Sequence, residues 1–482
     1  MDDRWGISSR RLHETLIGGK WVASTGDQLI RVTDPSYDRP ICFVRESSPE
    51  NVDEAVAAAA AVLPVLRNLS IEGRIARLEA LERELELRAP ALALAISEQI
   101  GMPLQHCLNH QIAGAIAVVP QTIEALRSLD FTERIGRSVV TREPVGVVAA
   151  ITPWNYPLFQ MLSKIAPAFA ARCPVVLKPS EVTPVDALIL AEALEAADFP
   201  PGAVNLAFGT GPQIGEQLIR DSRVSMVSFT GSTHAGRRVA ALAASRIKRL
   251  SLELGGKSPS IVLPSSQMEA AVAATVHSAM INSGQRCTAL SRLIVPMEDL
   301  AFVEHLAATA AAKYVVGPAD LADSDLGPVA NLNQRHRVTD HIERAHIDGA
   351  RVVWSYPSDA LPTRGYFVAP HIFTAPDPNI ALAQQEVFGP VLTILPYAGE
   401  DDAVAIANGT EYGLNAAVWA RTDDEACGFA SKVQAGSIDI NGANWNGLAP
   451  FGGYKQSGIG RELGAHGILG FTEIKSVQMP RS

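Results

Sequence analysis

Cysteine is scarce in this chain of 482 residues: there are five, at positions 42, 107, 173, 287 and 427, with no Cys-x-x-Cys pair among them. So odd and scattered a set argues against a disulfide framework and a cysteine-built zinc site, and leaves free thiols. None of the 11 histidines stands in a His-Glu-x-x-His pattern, so no zinc-hydrolase site is expected. Long apolar runs are missing too. The longest, residues 56–66, is Ala-rich and contains Pro64, and it falls well short of the roughly 18 residues a membrane span needs. Positive charge is in deficit: 41 Lys+Arg face 51 Asp+Glu for a formal charge of −10. A field of that sign repels nucleic-acid phosphates and anionic membrane surfaces, so neither is an expected partner. The opening Met1-Asp2-Asp3-Arg4-Trp5 carries no apolar signal segment, which makes the cytoplasm the expected compartment.

What the chain does have is apolar mass. Forty-seven per cent apolar residues against 19% charged are enough to bury several cores, and the length corresponds to about three ordinary domains, or two large ones with an appendage. Apolar spacing of three or four predicts helices over 51–66, 71–89 and 111–126. Short β-rich runs at 145–151, 175–178, 204–208, 224–229 and 249–254 then alternate with helical stretches, the pattern of a doubly wound parallel sheet. After Gly255-Gly256, expected to be a flexible pivot, a second cycle begins. It has strands at 260–263, 292–295, 391–397 and 416–420 and a helix at 268–282. Segments 131–142 and 470–479 alternate as edge strands do and are expected to pair across a subunit boundary. The domain boundaries drawn from this are 1–122 with 144–254, then 255–450, with 123–143 and 464–482 as intersubunit strands.

Eight segments carry chemistry. Thr152-Pro153-Trp154-Asn155-Tyr156-Pro157 leaves the carboxyl end of a strand, where ligands of parallel sheets bind. Asn155 offers an amide donor to a developing oxyanion, though a Pro-flanked turn is also ordinary architecture. Lys178-Pro179-Ser180-Glu181 is a candidate for nucleotide ribose, or an exposed ion pair at a helix start. Gly209-Thr210-Gly211-Pro212-Gln213-Ile214-Gly215 is one residue too long for the dinucleotide fingerprint. Phe229-Thr230-Gly231-Ser232-Thr233 runs from a strand into a helix amino terminus, either a pyrophosphate site or a simple helix cap. Glu253, in Leu252-Glu253-Leu254-Gly255-Gly256-Lys257, lies among apolar neighbours that would raise its pKa toward that of a base, unless it is a strand residue facing solvent. Cys287, in Ser283-Gly284-Gln285-Arg286-Cys287-Thr288, is either a small buried hydrophobe or a thiolate favoured by Arg286 and a nearby helix start. Glu386-Val387-Phe388-Gly389-Pro390-Val391 and a glycine-rich turn from Pro450 to Gly458 complete the set.

Taken together and in this order, these segments resemble the aldehyde dehydrogenase superfamily, and the similarity runs from Leu16-Ile17-Gly18-Gly19-Lys20-Trp21 nearly to the carboxyl end. The spacings agree: 23 residues from Asn155 to Lys178, 54 from Lys178 to Ser232 and 34 from Glu253 to Cys287. The resemblance implies an α/β fold of two doubly wound domains, a Rossmann-like NAD-binding domain and a catalytic domain, with a small β extension for oligomerisation. It implies Cys287 as nucleophile, Glu253 as general base and Asn155 with the Cys287 amide as oxyanion donors. Cofactor contacts fall on Trp154, Lys178, Ser180, Glu181, Gly211, Phe229, Gly231, Ser232, Leu254, Glu386 and Phe388, and Lys164 matches a lysine near the active site. Glu253 favours hydrolysis of the thioester over transfer to coenzyme A. Glu181 favours NAD over NADP, because a carboxylate repels a ribose phosphate.

By the same resemblance the aldehyde meets Phe159, Gln160, Ser163, Arg286, Thr288, Trp445 and Leu448. Phe159 and Trp445 suggest an apolar or aromatic substrate, and Ser163 a widened pocket. Arg286 offers the alternative of a carboxylate-bearing semialdehyde. A silent binding protein of the same fold is a third reading. The expected assembly is a homodimer or homotetramer, with no metal.

Overall fold

The computed structural model describes residues 4–264 and 267–480. Two antiparallel pairs come first: β1 (Glu14–Ile17) with β2 (Lys20–Ala23), and β3 (Leu29–Asp34) with β4 (Arg39–Arg45). Sequence patterning missed them because they are short and mostly half-exposed. A reciprocal cap opens the first long helix, Pro49–Arg67: the Asn51 amide N–H donates to Ser48 Oγ and the Ser48 N–H to Asn51 Oδ1. The next helix, expected to stop at 89, runs Ile71–Ile100 through Pro90. Pro90 lies on the exposed face, where water satisfies the carbonyl that proline leaves unbonded.

The first large sheet has the order β19-β11-β10-β7-β8-β9. It is built from β7 (Val147–Ile151), β8 (Val175–Lys178), β9 (Val204–Leu206), β10 (Val224–Thr230) and β11 (Arg249–Glu253), all parallel. β19 (Gly458–Ile459) is added antiparallel against Leu252 and Glu253. Every residue of β7 and β8 is buried, as the unbroken runs Val-Val-Ala-Ala-Ile and Val-Val-Leu-Lys require of strands covered on both faces. The covering helices include Pro157–Ala170, whose residues are all buried except Phe159.

The second sheet has the order β14-β15-β16-β13-β12-β17-β18. Its members are β12 (Pro259–Val262), β13 (Arg292–Pro296), β14 (Arg351–Ser355), β15 (His371–Thr374), β16 (Val391–Tyr397), β17 (Asn415–Trp419) and β18 (Ser437–Ile440). Only β14 is antiparallel. A third sheet joins β5 (Thr132–Ile135), β6 (Ser138–Pro144) and β20 (Thr472–Gln478). β6 and β20, from the two segments named as intersubunit strands, pair with each other in this chain, in an unbroken seven-pair register from Thr472 opposite Pro144 to Gln478 opposite Ser138.

The glycine pair between β11 and β12 is no loose pivot. Both residues are buried, and a Cβ on Gly255 would stand 2.5 Å from Glu386 Oε2, while one on Gly256 would stand 2.5 Å from the Cys287 carbonyl oxygen. Glycine is needed here for close approach rather than for freedom.

Candidate active site

Three chain segments leave the carboxyl ends of β7, β10 and β11 and meet two loops from the second sheet, around a cleft of about 130 Å³. The cleft brings together Trp154, Asn155, Gln160, Gly231, Ser232, Leu254, Cys287, Glu386 and Phe388 from the expected set, and adds Thr230, Gln334 and Arg337. Gln334 and Arg337 lie on the helix Leu332–Ile347, in no motif the sequence singled out. A larger hollow near Arg4, Trp5 and Cys42 contains none of these groups.

The loop before Cys287 is wound left-handed over three residues, Asn282, Ser283 and Gly284, with φ of 53°, 52° and 71°. Non-glycine residues resist that conformation, so it persists only where the surroundings impose it. Here they do: Ser283 Oγ donates to the Gly327 carbonyl at 2.6 Å. A Cβ on Gly284 would stand 2.0 Å from the Gly389 carbonyl oxygen. Asn155 is buried, and its Nδ2 donates to the Gln285 carbonyl at 3.0 Å. Its own carbonyl accepts from Gln111 Nε2 at 2.8 Å and Asn282 Nδ2 at 3.2 Å. These supporting amides were not legible as motifs.

Cys287 is half-buried in the turn following this coil, seven positions past the end of the helix Met268–Met280. The expected helix start is absent, and so is the expected acidic thiol. Burial pushes the thiol up to about 12, with Glu386 and Glu253 adding and Arg286 opposing.

Glu253 does not face solvent. Its carboxyl group is buried with both oxygens unpartnered among the described residues. Burial raises it well above the usual carboxylate range, Glu462 adds to that, and Lys164 and Arg461 oppose it. Lys164 is fully buried, its Nζ donating to Glu462 Oε1 at 2.5 Å and Thr230 Oγ1 at 2.8 Å. Glu386 accepts from the Gly256 N–H at 3.0 Å and is pushed up to about 7 by burial, against Gly256, Lys257 and Arg337. Phe388, at φ 55°, meets Trp154 edge-on at 5.6 Å.

Lys178, Glu181 and the Gly209 loop form a second group at the end of β8. Lys178 is buried, not an exposed ion pair: its Nζ donates to the carbonyls of Pro179 and Gly209, each at 2.7 Å, and to Glu181 Oε2 at 3.3 Å. Ser180 closes a turn by accepting from the Val182 N–H. Gly211 opens a wide turn, Gly211–Gly215, with free space where its Cβ would be. Phe229 lies buried beneath Gly231, where a Cβ would strike its ring at 2.5 Å. Ser232 caps the helix Thr233–Ala244 by accepting from the Ala235 N–H, and it also lines the cleft.

Of the expected aldehyde contacts, only Gln160 lines the cleft. Ser163 is buried, and its Oγ donates to the Gln160 carbonyl. Phe159 and Arg286 are half-buried and Thr288 is buried. Trp445 and Leu448 are exposed, with Trp445 edge-on to Phe451 at 5.3 Å. Among the described residues no group of three metal-ligating side chains converges, and no helix is long and apolar enough to cross a membrane.

Comparison with known proteins adds to this geometry. A family model described as the aldehyde dehydrogenase family matches residues 21–477. A 3-succinoylsemialdehyde-pyridine dehydrogenase from Pseudomonas sp. is 40% identical over 471 residues, 97% of this chain and 98% of that protein. A crystal structure of a mutant aldehyde dehydrogenase C from Pseudomonas syringae, complexed with NAD+ and octanal, superimposes with a TM-score of 0.96 at 39% identity, covering 99% of each chain. A Mycobacterium tuberculosis aldehyde dehydrogenase complexed with NAD+ gives a TM-score of 0.94 at 35% identity, over 97% of this chain and 98% of that one.

Proposed function

Since this chain belongs to the aldehyde dehydrogenase family, we propose that it oxidises an aldehyde to the carboxylic acid with NAD, through a thioester on Cys287 that Glu253 helps to hydrolyse. One observation carries the reading. Cys287 and Asn155 share a cleft with Glu386 and Phe388, while Glu253 stands close enough to Cys287 to raise its thiol.

The residues present suit a dinucleotide. Lys178 and Glu181 offer a cation and a half-exposed carboxylate to ribose at one end. The amino terminus of the helix Thr233–Ala244, with Ser232, offers amide donors for pyrophosphate. Glu386, Phe388 and Trp154 would hold the nicotinamide end. When bound, NAD supplies the hydride acceptor.

The chain's own groups do the rest. Cys287 Sγ gives its proton to solvent water and bonds to the aldehyde carbon, and the carbonyl oxygen takes up the charge. Asn155 Nδ2, with one N–H already given to Gln285, has its second for that oxyanion, beside the Cys287 amide. Loss of hydride leaves a thioester, so that one difficult oxidation is split into two easier steps. Glu253 then takes a proton from water, the hydroxyl adds to the thioester carbon, the C–S bond breaks, Glu253 passes its proton to the Cys287 thiolate, and the acid leaves as carboxylate, giving its own proton to solvent. A carboxyl raised by burial is basic enough for that proton. Glu253 lies opposite Thr230 across the sheet, Thr230 accepts from Lys164 Nζ, and the Lys164–Glu462 pair acts on its charge. The aldehyde stem would meet Phe159 and Trp445, which suits an apolar or aromatic chain.

NADH formation from an aldehyde panel, with NAD and NADP in parallel and with and without coenzyme A, tests the proposal in wild type and Cys287→Ala. Coenzyme A-independent turnover with NAD, abolished by the substitution, is the expected result. Strict dependence on coenzyme A overturns the role given to Glu253, and absence of turnover with every aldehyde overturns the reaction.

A further inference from the structure

Three lysines are buried in this chain, Lys164, Lys178 and Lys257. Lys164 Nζ has a carboxylate and a hydroxyl for partners, and Lys178 Nζ has two carbonyls and a carboxylate. Lys257 Nζ is buried with no hydrogen-bond partner among the described residues. Enclosing an ammonium without a partner is costly, and a methionine of similar length would pack there without that cost.

Lys257 follows the two glycines on which the Glu386 carboxyl rests. The Gly256 N–H donates to Glu386 Oε1 at 3.0 Å, and a Cβ on Gly255 would stand 2.5 Å from Oε2. Glu386 lines the cleft and Lys257 does not, so the lysine acts on the carboxyl group rather than on a ligand. The charges around the two come from several elements. Burial and Arg292 of β13 push Lys257 down to about 7, and Glu386 is the one carboxylate named against them. Arg292 is no rival for that carboxylate, because its N–H groups go to the carbonyls of Lys257, Ile406 and Ala407 at 2.7–2.8 Å. Burial raises Glu386 to about 7; of the groups that oppose this, Gly256 is a neutral donor, Lys257 the first charge and Arg337 the second. Arg337 is exposed, where water screens it. Glu386 in turn bears on Cys287 and Tyr412. Burial and then Lys257 keep His341, on the helix Leu332–Ile347, below the usual imidazole range.

We propose that Lys257 is a positioning residue for the cofactor: its buried charge keeps Glu386 ionised, so that the carboxylate accepts hydrogen bonds from the hydroxyls of the nicotinamide ribose. This rests on the cofactor placement proposed above, and it makes affinity for NAD the property that Lys257 governs. A protonated Glu386 puts a donor where the carboxylate has an acceptor, and its hydrogen bonds with hydroxyls are weaker than those of the charged form.

The test titrates NAD into the protein without aldehyde, by quenching of tryptophan fluorescence from pH 5.5 to 9.5; Trp154 lines the cleft. In wild type Kd should rise about 10-fold as pH falls through a midpoint near the value of about 7 given for Glu386. Lys257→Met should move that midpoint up by about one unit. The ionised share of Glu386 at pH 7 then falls from about one-half to about one-eleventh, so Kd there rises about 3-fold and returns to the wild-type value at pH 9.5. Lys257→Gln, a second neutral variant, should shift it in the same direction. Glu386→Gln should bind weakly with no midpoint, and adding Lys257→Met to it should change nothing further. Urea unfolding of Lys257→Met should match or exceed wild type, since an unpaired buried charge has gone. A wild type with no midpoint overturns the proposal, as does a midpoint unmoved in both lysine variants. So does equal weakening at every pH, which would make Lys257 a packing element, or an effect of Lys257→Met that persists in the Glu386→Gln background. Failure of wild type to bind NAD at any pH would instead overturn the cofactor placement on which this one stands.

Discussion

Replacing Glu386 with glutamine and timing the alkylation of Cys287 tests how the surroundings govern the proposed nucleophile. The thiol sits at about 12 rather than the ordinary 9.0, with burial the largest cause and Glu386 the next. At pH 8 an ordinary thiol would be about one-tenth thiolate and Cys287 about one ten-thousandth, a deficit of about a thousandfold. The more basic thiolate is the better nucleophile, and a Brønsted slope of about 0.4–0.5 over three units returns a factor of about 20. Iodoacetamide should therefore label Cys287 about 50-fold more slowly than a free cysteine at pH 8, with the rate still climbing with pH at pH 10. The assay needs a Cys427→Ser background, because Cys427 is the exposed thiol, while Cys107 and Cys173 are buried. Labelling of Cys287 is followed by peptide mass after quenching. Glu386→Gln removes a neighbouring negative charge and should speed labelling several-fold at pH 8. A rate that levels off below pH 9, or a Glu386→Gln protein slower than its parent, refutes the reasoning, because either means that burial and Glu386 do not hold the proton on.

Other substitutions bear on the neighbouring groups. Glu253→Gln should keep the first turnover of NADH and lower the steady state by about 10²- to 10⁴-fold, as removal of a general base from deacylation does; stopped-flow absorbance that shows the burst lost in equal measure counts against that role. Lys164→Met leaves Glu462 buried without its partner, and should cost about 3–5 kcal/mol in urea unfolding. Because Lys164 holds Glu253 down, the acid limb of the kcat profile should also move to higher pH, and an unmoved limb would separate Lys164 from the base. Asp186, fully buried, is raised from 3.8 to about 7, so the folded state binds its proton more tightly. Stability should fall as pH rises from about 4 to about 7, by at most about 4 kcal/mol, and then level. Asp186→Asn should remove that slope in urea titrations across the range, and a slope left intact would assign it elsewhere.

How much of this was legible in the sequence depended on whether the signal was local. The strand expected at 145–151 was found at 147–151 and the one at 175–178 was found as expected, because buried parallel strands are continuous apolar stretches. Glu253 read correctly as a desolvated acid from its apolar neighbours. The thiol of Cys287 did not, because the burial and the charges facing it come from distant elements. The helix end at Pro90 failed because a proline signal says nothing of which face meets water. Gln334 and Arg337 were invisible for a related reason: an ordinary polar pair on a surface helix becomes part of a cleft only when another loop is brought opposite.

β19 has a bearing on when the molecule becomes competent during its synthesis. The two residues of that strand lie beside Leu252 and Glu253, the Leu254 N–H donates to the Ser457 carbonyl, and Glu462 a few residues later supplies the counter-charge for Lys164. Partners separated by up to 298 positions must therefore meet before the base is enclosed. A ribosome releases those late residues only after every other strand of both large sheets has been made, and closing so long a loop is slow relative to local helix formation. The growing polypeptide thus carries a solvated carboxylate, and then an exposed thiol beside it, over the roughly two hundred residues made between Glu253 and β19, and encloses the base only once residues 458–462 have followed.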